Sequence, residues 1–149
     1  MPLPTIVTPS YELELPSTGK KVKYRPFLVK EEKLLVLALE TESTKDISTA
    51  IKTVLKNCIQ TRGVKVENLP TFDIEFLFLN IRGKSVGEEV EVNLIAPDDE
   101  VTEVPVTINI DDIKIQKSEE HTNKVKLDNE LVMEMKYPSL DQFIKSNFD

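Results

Sequence analysis

The stretch Thr71-Phe72-Asp73-Ile74-Glu75-Phe76-Leu77-Phe78-Leu79-Asn80-Ile81-Arg82-Gly83-Lys84-Ser85-Val86-Gly87 runs directly into Glu88-Glu89-Val90-Glu91-Val92-Asn93-Leu94-Ile95. Its period changes on the way. The first part predicts a helix over 72–82, capped by Thr71 and stopped by Gly83, with Pro70 just outside. That helix is apolar on more than one face (Phe72, Ile74, Phe76, Leu77, Phe78, Leu79, Ile81), as a helix central to a core or contacted from outside must be. The second part alternates acidic and aliphatic residues, the two-residue period of a half-buried strand. A helical region therefore gives way to a strand-rich one near Gly87.

Upstream, Asp46 is placed to cap a helix over 47–60, with its stripe at Ile47, Ala50, Ile51, Val54, Leu55 and Cys58 and its stop at Arg62-Gly63. Residues 29–40 are rich in helix formers, with Glu31 and Glu32 in the first turn where they complement the dipole. Still earlier, Tyr11–Leu15 and Val22–Phe27 alternate around Pro16-Ser17-Thr18-Gly19 and predict a hairpin, with Pro26 ending its second strand. Residues 1–10 hold three prolines and read as an extended arm. Downstream, strands are expected over 88–95, 101–110 and 113–116. A hairpin over 124–127 and 131–137 turns at Asp128-Asn129, and Ser139 caps a short helix over 140–146. Strands segregate from helices, so the fold class is α+β. It comprises an N-terminal β-hairpin, a central three-helix segment over about 29–84, and a C-terminal antiparallel strand-rich part over about 88–138 with a short final helix. Residues 11–149 are expected to form one domain.

Charge is unevenly placed. Residues 1–87 hold 13 basic and 10 acidic side chains, whereas residues 88–120 hold 2 and 11. The acidic segment repels polyanions, and it reads either as a solvated surface or as a docking face for a basic partner. The N-terminus, Met1-Pro2-Leu3-Pro4, lacks the basic and apolar regions of a signal peptide. The longest apolar runs, 34–39 and 76–79, are far short of a membrane span. The single cysteine, Cys58, excludes an intramolecular disulfide and fits a buried apolar position. Neither a secreted nor a membrane protein is expected.

The sequence carries no recognisable catalytic arrangement. The four glycines are not in phosphate-cradling order. No Cys or His pair has zinc spacing. The only histidine, His121, lies in a polar run and gives no nucleophile a base. Acid clusters at Glu31/Glu32 and Asp98/Asp99/Glu100 fit a helix start and a polar turn. Catalytic residues, cofactors and metals are thus all expected to be none.

Several segments occur in a definite order: Leu15-Pro16-Ser17-Thr18-Gly19; then Arg25-Pro26-Phe27-Leu28-Val29-Lys30-Glu31-Glu32-Lys33; then Asp73 through Glu88, including Arg82, Ser85 and Gly87; then a strand-rich part closing in Tyr137-Pro138. Over about residues 11–140 this resembles the baseplate hub assembly proteins of T-even-like contractile-tailed bacteriophages. The resemblance implies a non-catalytic role as a baseplate hub subunit or hub assembly factor. Its partners would be other phage hub or tail proteins, the tape-measure protein among them, in a hetero-oligomer. It implies a place in the virion tail baseplate, or in the host cytoplasm during assembly. Members are often longer, so a C-terminal helical part is expected to be missing here. Some carry cysteine pairs in the strand-rich half, where Asn93–Asp99 holds none. Candidate interface or structural positions are Leu15, Pro16, Gly19, Arg25, Phe27, Glu31, Glu32, Phe72, Asp73, Phe76, Arg82, Ser85, Gly87, Tyr137 and Pro138. Arg25 and Arg82 are expected to find Glu31, Glu32 or Asp73.

Two other readings remain open at this stage. One is a tape-measure or tail assembly chaperone that leaves before the virion is complete. The other is a small nucleic-acid-associated or host-directed phage protein using Lys20, Lys21, Lys23 and Arg25 with the interleaved Tyr24 and Phe27. The acidic second half argues against that last reading, and neither nucleic acid nor membrane is the expected partner.

Overall fold

A computed structural model describes residues 7–98 and 100–148. Strands β1 (Tyr11–Glu14) and β2 (Lys21–Tyr24) open the chain as an antiparallel hairpin in which Leu13 faces Val22. Helices α1 (Val29–Glu40), α2 (Thr44–Cys58) and α3 (Thr71–Val86) follow. Strands β3 (Glu89–Ile95) and β4 (Glu103–Asn109) form a second antiparallel pair, β5 (Lys124–Lys126) and β6 (Val132–Glu134) a third, and α4 (Leu140–Phe148) closes the chain. The fold is α+β, with the N-terminal hairpin, the central helices, the antiparallel strand pairs and the final helix in the expected order. Of the expected arm, residues 1–6 lie outside the described residues, and residues 7–10 carry no helix or strand.

The core belongs to the hairpin and the helices. Leu15, Val22 and Tyr24 pack with Val54, Leu55 and Cys58 of α2, Ile74, Leu77 and Ile81 of α3, and Leu140 of α4. The hairpin is joined to the end of α2 by Arg25 N–H donating to Cys58 C=O at 3.0 Å and Gln60 N–H donating to Lys23 C=O at 2.8 Å. Burial pushes the Cys58 thiol up to about 11, as expected of an inert core cysteine. The final helix is held by Lys52–Asp141 at 2.6 Å and by Leu140 N–H donating to Leu69 C=O at 3.0 Å. Ser139 caps it reciprocally with Gln142, its hydroxyl accepting the Gln142 N–H and its own N–H donating to the Gln142 side chain.

Several boundaries differ from expectation for local reasons. The hydroxyl of Ser43, not the carboxylate of Asp46, caps α2, because it accepts the Asp46 N–H at 3.3 Å and starts the helix three residues earlier. Pro70 occupies the cap of α3 without a side-chain bond, and Thr71 is already helical. Gly83 does not end α3. Gly87 does, at φ 138°, a conformation that L side chains rarely adopt. Gly83 instead faces Ile110, whose side chain lies 3.4 Å from where a Cβ would stand. The expected strand over 113–116 is absent. Asn109 accepts the Asp111 N–H at 2.9 Å and caps a 3-10 turn at Ile110–Asp112. After that turn Ile113 and Ile115 border a hollow beside α3 rather than joining a sheet.

The contact at Gly83 yields a prediction. A methyl group fits the 3.4 Å gap, and glycine inside a helix costs about 1 kcal/mol relative to alanine. Gly83→Ala should therefore raise stability by roughly that amount in chemical denaturation. A loss of stability would show that Ile110 cannot yield even slightly.

Candidate interaction site

The sequence motifs converge on α3. Ser17 donates both its N–H, at 3.0 Å, and its hydroxyl to the carboxylate of Asp73, which is fully buried in the first turn of the helix. This fastens the turn between β1 and β2, in which Gly19 takes φ 67° and donates to Leu15 C=O at 2.7 Å. At the other end of α3, Phe27 N–H donates to Ser85 Oγ at 3.0 Å. Between these points Arg25 pairs with Glu31 at 3.1 Å, and Glu31 also accepts the Leu28 N–H at 2.8 Å. Burial raises the Glu31 carboxyl. The Arg25 hydrogen bond, the Leu28 N–H and the charges of Arg25 and Lys30 outweigh it and hold the group below the ordinary glutamate value. Leu15, Gly19, Arg25, Glu31, Asp73 and Ser85 are thus engaged in holding the hairpin along α3, and Gly87 ends that helix.

Other candidate positions line surface hollows. Phe27 and Arg82 border an apolar groove of about 290 Å3 with Leu35, Ala38 and Leu39 of α1, Ile47 and Ile51 of α2, and Phe78 and Val86 of α3. Leu39 is 60% exposed and Val86 61% exposed at its rim. Among the described residues no carboxylate pairs with Arg82, so it does not take up the ion pair expected of it. On the adjoining face of α3, Phe72 and Phe76 line a second hollow with Phe78, which borders both, and with Leu79, Ile113 and Ile115. Phe72 meets Tyr137 edge to face at 4.9 Å, and Tyr137 stacks on and hydrogen-bonds His121. Pro16 borders this aromatic group. Glu32 and Pro138 are exposed and join neither cluster. The apolar breadth of α3 therefore serves the core on one side and two open hollows on the others.

Lys84 was not among the candidates, yet it ties three elements together. It donates to Glu88 and to Asp111, at 3.2 Å, and lies 5.8 Å from the centre of the Tyr11 ring. Both acceptors hold its ammonium above the ordinary lysine value. The run Leu34–Leu39 was the available signal for the groove, since it is too continuous for one buried helix face, and Val36, Leu37 and Leu39 are exposed. The basic hairpin loses its aromatic platform: Tyr24 is buried, Arg25 is paired, and Lys21 faces Glu12 at 3.6 Å. Among the described residues no group of His, Cys, Asp or Glu is arranged to hold a metal, and no described helix is long and apolar enough to cross a membrane.

The family model described as "T4 bacteriophage base plate protein" matches residues 8–149. The chain belongs to the T4 bacteriophage base plate protein family. The match takes in every α-helix and strand of the described residues. A T4 base plate protein is a structural protein of a phage tail baseplate. Membership therefore places the chain in the virion tail among other tail and baseplate proteins. No curated protein and no solved structure matches the chain.

Proposed function

We propose that this base plate protein is a hub subunit or hub assembly factor that works without catalysis, by holding other hub or tail proteins in a hetero-oligomer. The observation that carries the reading is the open groove between α1 and α3. A monomer gains nothing by leaving Leu39 and Val86 in water beside Arg82, a cation that has no ion-pair partner among the described residues, in an apolar wall. Such a wall suits an amphipathic segment whose aliphatic side chains fill the groove and whose carboxylate meets Arg82. The motif residues support the same reading indirectly. They fix the hairpin, α1 and α3 against each other and so preform the groove.

The test is to express the baseplate genes with and without this one and measure complete hubs by sedimentation. Omission should abolish them, and a normal yield would overturn the proposal. Leu39→Glu refines the test. At an exposed position it should shift stability by no more than about 0.5 kcal/mol. A charge in the apolar wall should lower hub yield about tenfold, the equivalent of 1.4 kcal/mol of lost contact. Wild-type yield from the folded variant would remove the groove from the account.

A further inference from the structure

We propose that the chain associates with a second copy of itself by strand addition, β5 of one copy pairing antiparallel along the free edge of β3 of the next. The proposal adds a homotypic contact to the baseplate role argued above and rests on that reading only for its setting.

The ribbon β3–β4 is amphipathic. Its register places Val90, Val92 and Leu94 opposite Ile108, Val106 and Val104 on one face. No helix covers that face: Leu94 remains 53% exposed, and no residue of either strand is buried. A two-stranded ribbon is marginal alone in water. The edges of the ribbon are unequal. Ile110 N–H donates to Glu88 C=O and Ala96 N–H to Thr102 C=O, which fixes the phase of the ladder. Glu89, Glu91, Asn93 and Ile95 therefore turn their backbone groups outward from β3, whereas β4 turns Pro105 outward, and proline has no donor. Only the β3 edge is unbroken.

The charge on that edge selects the occupant. No lysine or arginine occurs from Glu88 to Ile113. Glu89 and Glu91 lie on the polar face, exposed and without an ion pair among the described residues. A strand added there must alternate basic and aliphatic side chains. Two strands of this chain do so. Lys21-Val22-Lys23-Tyr24 is spent, because Val22 and Tyr24 are buried. Lys124-Val125-Lys126-Leu127 is free: all four residues are exposed, and neither lysine makes an ion pair among the described residues. In the β5–β6 ladder Leu127 N–H donates to Leu131 C=O and Met135 N–H to Asn123 C=O, so Lys124 and Lys126 turn their backbone groups outward. Docking need displace only the local bond from Lys124 N–H to Thr122 Oγ1. One register pairs the outward groups of Glu89 and Glu91 with those of β5: Glu91 opposite Lys124, Glu89 opposite Lys126, and Val90 beside Val125 on the shared apolar face. Two different surfaces meet, so the contact is head to tail and builds a ring or an open chain.

Sedimentation velocity and hydrogen exchange on the full chain test this. Wild type should self-associate with rising concentration and falling salt, with the Glu89 and Glu91 amides gaining protection. Glu89→Lys/Glu91→Lys and Lys124→Glu/Lys126→Glu each place like charges on both edges and should sediment as monomers, at least tenfold weaker in association. All four positions are exposed, so unchanged thermal unfolding is expected and is to be checked. Mixing the two variants should restore assembly, because each then meets an opposite edge on the other. A wild type that stays monomeric, variants that associate as wild type does, or a mixture that stays monomeric would each overturn the proposal. A wild-type monomer that still enters hubs would leave the baseplate reading standing.

Discussion

Replacing Arg25 by alanine is expected to destabilise the protein by about 3 kcal/mol, because it leaves the buried carboxylate of Glu31 with only the Leu28 N–H and the exposed Lys30 ammonium at 3.5 Å. The two side chains are 13% and 1% exposed, and the pair is closed by Leu28 N–H on the carboxylate and by Pro26 C=O on the guanidinium. Removing Arg25 takes away the less exposed of the two cations on a carboxylate that water scarcely reaches. Removing Arg25 and Glu31 together costs less, so Arg25→Leu with Glu31→Leu should recover much of the loss. Urea denaturation of the two variants measures the difference, and equal losses would mean that packing alone matters at this corner. The pair also has a pH signature. The Glu31 carboxyl lies lower in the folded protein than its ordinary value of 4.5. Its contribution is therefore present above pH 4.5 and is lost as pH falls through the lower folded value. Wild type should lose this component on acidification, and Arg25→Ala should show less of it, because the Leu28 N–H and the Lys30 charge remain.

Leu77→Ala carries the second large effect. Leu77 has no exposed surface and sits in the cluster shared by the hairpin, α2 and α3. A leucine truncated in such a place costs about 2–5 kcal/mol, a large share of the 5–15 kcal/mol typical of a domain. Leu94→Ala makes the contrast. Leu94 lies on the uncovered ribbon face, and its truncation should change stability by no more than about 0.5 kcal/mol. Thermal unfolding of both variants decides the matter. A comparable loss from Leu94→Ala would show that the ribbon is packed against the body in solution.

Local chemistry was legible where local chemistry decides. Helix α1 spans the residues its composition indicated, since its helix formers stop at Thr41 and nothing distant competes. The turn at Asp128 behaves as its side chain dictates, accepting the Glu130 and Leu131 N–H groups at 2.7 and 2.9 Å. Reading failed where a remote group intervened. Gly83 looked like a helix stop, but it is the seat of Ile110, 27 residues on. Ile113 and Ile115 alternate like a strand, yet they border a hollow beside a helix. The order of the motifs was visible, whereas their partners were not: Ser17–Asp73 and Phe27–Ser85 span 56 and 58 residues. The groove was least legible, because it gathers side chains from Phe27 and from three helices, and no single segment carries its pattern.

The chain thus presents open apolar surfaces, and the role proposed for it is to hold neighbours in a baseplate. Sedimentation velocity of the purified chain, run beside each purified hub and tail component of its phage, tests that most directly. A faster boundary that carries both the chain and at least one component is expected, and Leu39→Glu should disperse it. A chain that sediments with every component just as it does alone would contradict the proposed role.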